Sequence, residues 1–293
     1  MVSRTHYRIF RKGSTTYFHS TLFFPRHIRE DVFVLYSFVR KADDFVDAIP
    51  QQRDAFNRFC SDYRNALAGT AADDIVIDSF VSLMERKHFD PVWVDAFLAS
   101  MAADITTTSY ETLDDLMIYL YGSAEVIGLM MARIMDLPPA SSSAARHLGR
   151  AMQYINFIRD IAEDLELRRV YFPQEEIRAC GLRGLCHDDA REQPEAFSRF
   201  IRHQIERYSL WQREGERGFP LLPLSCRIPV KTASDMYAWT ARRIAENPFI
   251  VYDHAVKPAS ACIIKTVLSN GSAACMAGLR SRLGRIVPGA GHE

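Results

Sequence analysis

The sequence has little that would tie it to nucleic acid, to a membrane span or to a disulfide framework. Lysine plus arginine and aspartate plus glutamate both number 36 in 293 residues, so no net field favours a polyanion. No basic stretch is interleaved with aromatics in the manner of a strand-binding groove, which argues against a nucleic-acid partner. Six cysteines (Cys60, Cys180, Cys186, Cys226, Cys262 and Cys275) are scattered without a Cys-x-x-Cys pair. In a chain long enough to bury a large core without staples, they read as reduced thiols in a cytoplasmic protein. The start, Met-Val-Ser-Arg-Thr-His-Tyr-Arg, has no apolar h-region, and no run of about 18 apolar residues occurs; neither a signal peptide nor a transmembrane helix is expected. Gly-x-x-x-x-Gly-Lys-Ser/Thr loops and Gly-x-Gly-x-x-Gly turns are missing, so any phosphate must be bound through side chains and metal. The nine histidines form no ligand cluster. A di-iron bundle would need two Glu-x-x-His elements, and only Glu85-Arg86-Lys87-His88 is present.

What is present is helical periodicity. Nothing reads as a set of paired strands. Residues 1–13 are basic and poor in apolar side chains, which predicts a loosely held N-terminal arm. Ser14-Thr15-Thr16 can cap a first helix running from Tyr17 to Phe24, and Pro25 suits the first turn of the next. From His27 to Ile49 apolar residues recur at Ile28, Val32, Leu35, Phe38, Val39, Ala42 and Val46, an i, i+3/i+4, i+7 stripe. Further helices are predicted over 51–68, 75–88, from Pro91 onward, 113–135 with interruptions at Gly122 and Gly128, and 144–167. Others follow from Pro173 (short), over 194–218, 229–246 and 258–268. Loops are expected at 138–143 and 180–190, and 284–293 should be a flexible tail. The reading is an all-α chain, one domain over 1–293. A boundary at 138–143 would separate two acidic faces that need each other.

Those faces carry the chemistry. Asp43 and Asp47 lie four residues apart, one turn after Arg40, and continue the apolar stripe, so they point toward the core. On a helix such a pair shares a face with Cβ atoms roughly 5–6 Å apart, and two carboxylates that close call for a cation. Asn156, Asp160 and Asp164 repeat the spacing downstream, with Gln153 one turn earlier and Arg159 adjacent. Facing each other across a cavity, two such ladders suit Mg²⁺-bridged diphosphate, because Mg²⁺ takes one or two carboxylates, water and substrate phosphate. Arginines nearby can grip phosphate oxygens in bidentate fashion; the plainer alternative for Arg40 and Arg159 is a helix ion pair. The spacing alone is weak. Asp74 and Asp78 share it, follow a Gly-Thr-Ala-Ala break without a basic or amide neighbour, and are expected to be a solvated face.

Three ordered motifs carry a resemblance. The first is Ser-Thr-Thr-Tyr-Phe-His-Ser-Thr-Leu-Phe-Phe-Pro followed by Val-Leu-Tyr-Ser-Phe-Val-Arg-Lys-Ala-Asp-Asp-Phe-Val-Asp. The second is Tyr-Leu-Tyr-Gly-Ser-Ala-Glu-Val-Ile-Gly at 119–128. The third is Gln-Tyr-Ile-Asn-Phe-Ile-Arg-Asp-Ile-Ala-Glu-Asp, with Arg-Arg-Val-Tyr-Phe-Pro just after. Over roughly residues 14 to 268 the chain resembles the squalene/phytoene synthases, head-to-head prenyl transferases of the all-α isoprenoid synthase fold, a helical bundle around a central cavity.

The resemblance implies that two prenyl diphosphates condense with Mg²⁺ (or Mn²⁺) through a cyclopropyl diphosphate. It assigns Asp43, Asp47, Asn156, Asp160 and Asp164 to metal, and Arg40, Gln153, Asn156 and Arg159 to diphosphate. Tyr36, Tyr121, Tyr171 and Tyr237 fit the family's ring of active-site tyrosines, with amphipathic core tyrosine as the plainer alternative. Thr21 is small where a bulky aromatic would shorten the substrate pocket, which favours two geranylgeranyl diphosphates and phytoene. The alternatives are dehydrosqualene or squalene from farnesyl diphosphate, NADPH being needed only for squalene, and a non-catalytic assembly factor, against which both intact acidic motifs speak. Apolar-tailed substrates suggest peripheral membrane contact, although no amphipathic anchor stands out; Arg280, Arg282 and Arg285 are one candidate patch, with a solvated tail as the favoured alternative, and the oligomeric state is left open.

Overall fold

The basic N-terminal segment is not a loose arm. In the computed structural model, which describes residues 3–13, 15–253, 256–259, 262–263 and 265–271, Arg4–Gly13 forms helix α1. The residues it buries fall on one side: Phe10 is 1% exposed, His6 is fully buried, and the Phe10 ring stacks on Tyr36 at 3.9 Å. The arm reading failed because it weighed the number of apolar residues and not their spacing. Helix α2 (Thr15–Thr21) follows, and α3 (Arg26–Asp47) then realises the long apolar stripe, burying Ile28, Val32, Leu35, Phe38, Ala42 and Val46.

Helices α4 (Arg53–Leu67), α5 (Ile75–Lys87) and α6 (Pro91–Thr106) pack on α3 or on one another. Phe38 stacks on Phe80 at 3.8 Å, with Phe59, Tyr63 and Phe97 around it. Asp74 and Asp78 are scaffold, not a solvated face. Asp74 caps α5 through the Val76 N–H and is ion-paired to Lys41, while Asp78 accepts from the Ala72 N–H. The basic partner comes from the Arg40-Lys41 motif itself, which is remote in sequence.

Between Ser109 and Tyr110, strand β1 pairs in parallel with β2 (Val170–Pro173); so short a pair leaves no period-2 pattern to read. Helix α7 (Leu113–Leu120) runs through a π-helical turn (Tyr121–Glu125) into α8 (Val126–Ile134). Neither glycine interrupts this rod. A Cβ at Gly122 would lie 2.2 Å from the Ala96 carbonyl oxygen of α6, and one at Gly128 would lie 2.2 Å from that of Ala145, so both glycines admit neighbouring backbones. By length and composition Leu113–Ile134 could cross a membrane, with a mean hydropathy of 1.3, but 61% of its apolar window is buried by packing on α6 and the next helix. That is a core helix.

Helix α9 (Ser142–Arg159) ends one residue before Asp160, where the backbone leaves helical geometry, and α10 (Ile161–Glu166) resumes. The single helix expected over 144–167 is thus broken at the second acidic motif. Its backbone bonds nonetheless continue from Asp160 N–H to the Asn156 carbonyl and from Asp164 N–H to that of Asp160. Glu125 of the π-turn is 1% exposed and takes charge-assisted bonds from Arg146 (2.7 Å) and Arg150 (2.6 Å) of α9; this locks the turn to the helix carrying the acidic ladder.

Helices α11 (Gln174–Ala179), α12 (His187–Glu192), α13 (Pro194–Glu216), α14 (Leu224–Glu246) and α15 (Ile250–Asp253) complete the named elements. Helix α12 begins inside the expected 180–190 loop. Helix α14 starts five residues before Pro229, behind Pro223; Pro229 sits in its second turn, where it removes one backbone bond. Residues 262–263 and 265–271 are helical, while Pro258 is not. The expected tail at 284–293, Cys275 and the Arg280, Arg282 and Arg285 cluster lie outside the described residues, as does Ser14 of the first cap.

The buried apolar residues form two clusters, one around α3 to α6 and α8, the other around α7, α9, α13 and α14. Phe97 and Met101 of the first and Tyr119, Phe157, Tyr171 and Tyr237 of the second line the same polar cavity. The site therefore lies where the two halves of the core meet.

Candidate active site

Two cavities adjoin at that seam. One, of about 270 Å³, is walled almost entirely by apolar and small residues, among them Phe10, Thr21, Phe24, Leu35, Met131 and Leu222. The other, of about 580 Å³, is lined by Arg40, Asp43, Asp47, Asp104, Arg159, Asp160, Asp164 and Arg169. Tyr36, Val39, Ser123, Gln153 and Asn156 line both. Every position read as a metal, diphosphate or tail contact is thus brought to this pair of chambers.

On α3, Asp43 and Asp47 flank the buried Ala42 and Val46 and open on the polar cavity. Arg40 bonds Asp43 at 2.8 Å and Asp44 at 2.6 Å. On the facing side Arg159 binds Asp160 through both its Nε, at 2.6 Å, and a terminal nitrogen. Arg40 thus makes the helix ion pairs that sequence left as an alternative, whereas Arg159 pairs with its chain neighbour at the break between α9 and α10. Burial, then repulsion from Asp47, raises the Asp43 pKa to about 8 against the pull of Arg40. Its side chain remains about a third exposed because its open side is the cavity. Burial and Asp160 push the Asp164 carboxyl well above the usual range, and Asp47 of the other bank adds to the effect. The two banks therefore share one electrostatic environment. Asn156 Oδ1 is buried with no hydrogen-bond partner, as is Ser123 Oγ in the shared wall.

Tyr36 and Tyr171 both line the polar cavity, and burial raises both phenols, so they stay protonated. Tyr171 stacks on Phe157 at 4.1 Å and donates to Asp104 at 2.9 Å. Tyr237 of α14 also lines the cavity and is 5% exposed. Tyr121 is placed differently. It lines neither cavity, and its ring lies 5.4 Å from the Arg146 guanidinium carbon. The inward position belongs to Tyr119, two residues earlier, whose hydroxyl donates to Asp104 at 2.7 Å. Residues i and i+2 do not share a helix face, so one rod cannot aim both tyrosines inward.

Sequence and structural relatives identify the family. A sequence model of the squalene/phytoene synthases matches residues 10–261. The chain belongs to the squalene/phytoene synthase family. A 15-cis-phytoene synthase from a Paracoccus species is 28% identical over 264 residues, covering 86% of this chain and 85% of that protein. One from Enterobacter agglomerans is 29% identical over 248 residues, covering 80% and 83%. Among solved structures, a ligand-bound dehydrosqualene synthase shares the fold with a TM-score of 0.81 at 20% identity over 91% of this chain and 94% of that one. The squalene synthase HpnC from Alicyclobacillus acidocaldarius does so with a TM-score of 0.72 at 22% identity over 83% and 93%.

The sequence reading missed a set of buried groups behind these carboxylates. Asp104, at the end of α6, is 5% exposed, and burial raises its pKa to about 6 although Arg169 and the two tyrosine hydroxyls oppose the shift. Arg169, 4% exposed, donates at 2.6 Å both to Asp47 and to the Val46 carbonyl, and at 3.2 Å to the Asp104 carbonyl. It ties the end of α3 to α6 and β2. Arg169 stands in the quoted Arg-Arg-Val-Tyr-Phe-Pro motif, so its position was visible. Asp104 sits in the apolar α6 without a paired acid and offered no spacing signal. Lys12 and Lys257, from the two ends of the described chain, also line the polar cavity.

Proposed function

We propose that this prenyltransferase condenses two geranylgeranyl diphosphates head to head, through a cyclopropyl diphosphate, to phytoene. The observation that carries the reading is the wall shared by an apolar and a carboxylate-lined chamber, at Tyr36, Val39, Ser123, Gln153 and Asn156. A substrate with an apolar tail and an anionic head needs such a pair. Family membership and the phytoene synthase relatives support the substrate class.

The donor set fits a divalent cation. All its ligand atoms are oxygens, Asn156 Oδ1 is buried and unpartnered, and Asp43 and Asp164 are carboxyls that a cation would hold in their charged forms. Asp43 and Asp47 on one bank, and Asn156, Asp160 and Asp164 on the other, would hold Mg²⁺ or Mn²⁺. Among the described residues no three acidic, histidine or cysteine groups converge on one point, so water and diphosphate oxygens would complete the shell. When bound, the metal supplies Lewis-acid withdrawal of charge from the leaving diphosphate. Arg40 and Arg159 exchange a carboxylate partner for phosphate oxygens and stabilise the departing anion, and Gln153 orients the head group at the chamber wall. Tyr36 and Tyr171 present neutral phenols and ring faces to a carbocation, Tyr237 adds a third ring, and the apolar chamber keeps out water that would quench the cation.

Incubation with farnesyl or geranylgeranyl diphosphate, with Mg²⁺ and with or without NADPH, tests the reading by product analysis. Phytoene from the geranylgeranyl substrate without NADPH is expected. Dehydrosqualene or squalene from the farnesyl substrate alone would reassign the chain length, and no diphosphate release in any combination would overturn the enzyme reading.

A further inference from the structure

The N-terminal face of the molecule concentrates positive charge in a chain that has none overall. The first thirty residues hold Arg4, Arg8, Arg11, Lys12, Arg26 and Arg29 against one carboxylate, Glu30, and Glu30 is paired with Arg26. The next acid, Asp31, is buried and bound by Arg86 at 2.6 Å. On α1 the exposed residues Arg4, Tyr7, Arg8 and Arg11 recur at i, i+3, i+4 and i+7, a single stripe opposite the buried His6 and Phe10. The apolar part is continuous with it. Tyr7, 44% exposed, meets Phe18 edge-on at 5.3 Å. One turn further on, Leu22 donates its N–H to the Phe18 carbonyl, and Leu22 and Phe23 are 37% and 45% exposed. Arg29 reaches the Leu22 carbonyl at 3.3 Å, which places another cation at the same turn.

Single exposed apolar residues need no explanation. Two aromatic side chains and a leucine set within cations of one sign do, because aromatic and apolar side chains beside Lys or Arg are the composition of surfaces that lie in a bilayer interface. The patch also backs onto the apolar chamber: Phe10, Ser20, Thr21 and Phe24, from the same helices and turn, line that cavity from inside. Helix α2 is the thin wall between the two.

We propose that this face docks on an anionic phospholipid bilayer, with Tyr7, Leu22 and Phe23 entering the headgroup region and Arg4, Arg8, Arg11, Arg26 and Arg29 engaging lipid phosphates. Docking there sets the wall of the apolar chamber against the phase in which apolar-tailed substrates partition. The purpose rests on the prenyl diphosphate reading; the lipid contact itself does not.

Co-sedimentation of the full chain with vesicles tests it without requiring turnover. Binding to vesicles containing about a third phosphatidylglycerol should exceed binding to phosphatidylcholine alone by at least about tenfold, as several arginines near an anionic surface imply. Raising salt to about 1 M, where the screening length is ~3 Å, should remove that excess. The triple variant Arg4→Glu, Arg8→Glu, Arg11→Glu and the double variant Leu22→Ser, Phe23→Ser should each lose the same factor. Both should keep wild-type melting curves and wild-type turnover of detergent-dispersed substrate. Reversal of Arg280, Arg282 and Arg285 should leave binding unchanged. Failure of the wild type to bind anionic vesicles would overturn the proposal. So would wild-type binding by both patch variants, or loss confined to the Arg280, Arg282, Arg285 variant.

Discussion

The cavity carboxylates differ in what satisfies them. Asp104 accepts from two phenols and lies beside Arg169, whereas Asp43 and Asp164 are raised by burial and by like-charged neighbours. The first arrangement is a scaffold, and on the proposed reading the second would hold a cation. Asp104→Asn should therefore cost about 1–3 kcal/mol of stability, the usual penalty for a misfitted buried polar group, read by urea unfolding; an unaltered midpoint would remove it from the scaffold. Asp43→Asn and Asp160→Asn should instead lower turnover by roughly a thousandfold or more while the protein stays folded by circular dichroism. Retained diphosphate release in either would refute its metal role. The tyrosines separate in the same way. Tyr119→Phe breaks the bond to Asp104 and should lower turnover, while Tyr121→Phe, outside both chambers, should stay within about twofold of wild type. The reverse ranking would reject the placement.

At the scale of elements, the rod from Leu113 to Ile134 shows what periodicity can and cannot reveal. Its existence was legible from its apolar content, but its π-turn was not. An extra residue in one turn changes which side chains face inward, and Tyr119 with Ser123 gained the wall positions. The glycines were misread as breaks because sequence shows a missing side chain and not the backbone that fills its place. Gly122→Ala would put a Cβ against the Ala96 carbonyl, and should cost about 1–3 kcal/mol and disturb the adjacent shared wall. A thermal melt and kcat measured together check this, and an unchanged melt would show that α6 yields freely. On α11, burial raises the Glu176 carboxyl, but bonds from Arg207 and Gln204 outweigh it and leave the pKa below its usual value of 4.5. A depressed carboxylate contributes stability above its unfolded pKa and loses it as pH falls through the folded one. Glu176→Gln should therefore destabilise by about 2 kcal/mol near neutrality, with the gap to wild type closing in unfolding midpoints taken below about pH 4. A gap independent of pH would assign the effect to packing.

At the scale of the molecule, the all-α architecture and the meeting of the two acidic faces were legible because each face carries its own helical period. The chambers were not, since a cavity is defined by residues from remote helices that share no spacing: Thr21 of α2, Met131 of α8, Leu148 of α9 and Val230 of α14 line one chamber. Thr21 is the test of how that space sets the product. It is 3% exposed and lies beside Ser20 and Phe24 on the thin N-terminal wall of the apolar chamber. In a cavity of about 270 Å³, a phenyl ring at this point removes a substantial part of the room for a tail. A site that discriminates by apolar volume changes preference by about 1–3 kcal/mol for a methylene-sized change, and Thr21→Phe is larger than that. With farnesyl and geranylgeranyl diphosphates in competition, Thr21→Phe should shift kcat/KM toward the farnesyl substrate by at least about tenfold, with its melting temperature retained or lowered slightly by overpacking. The change should appear in chain length and not in the rate of ionisation, because Thr21 is absent from the polar chamber. An unchanged product ratio would mean that the tails run elsewhere along the chamber, with its Met131 to Leu137 side as the determinant.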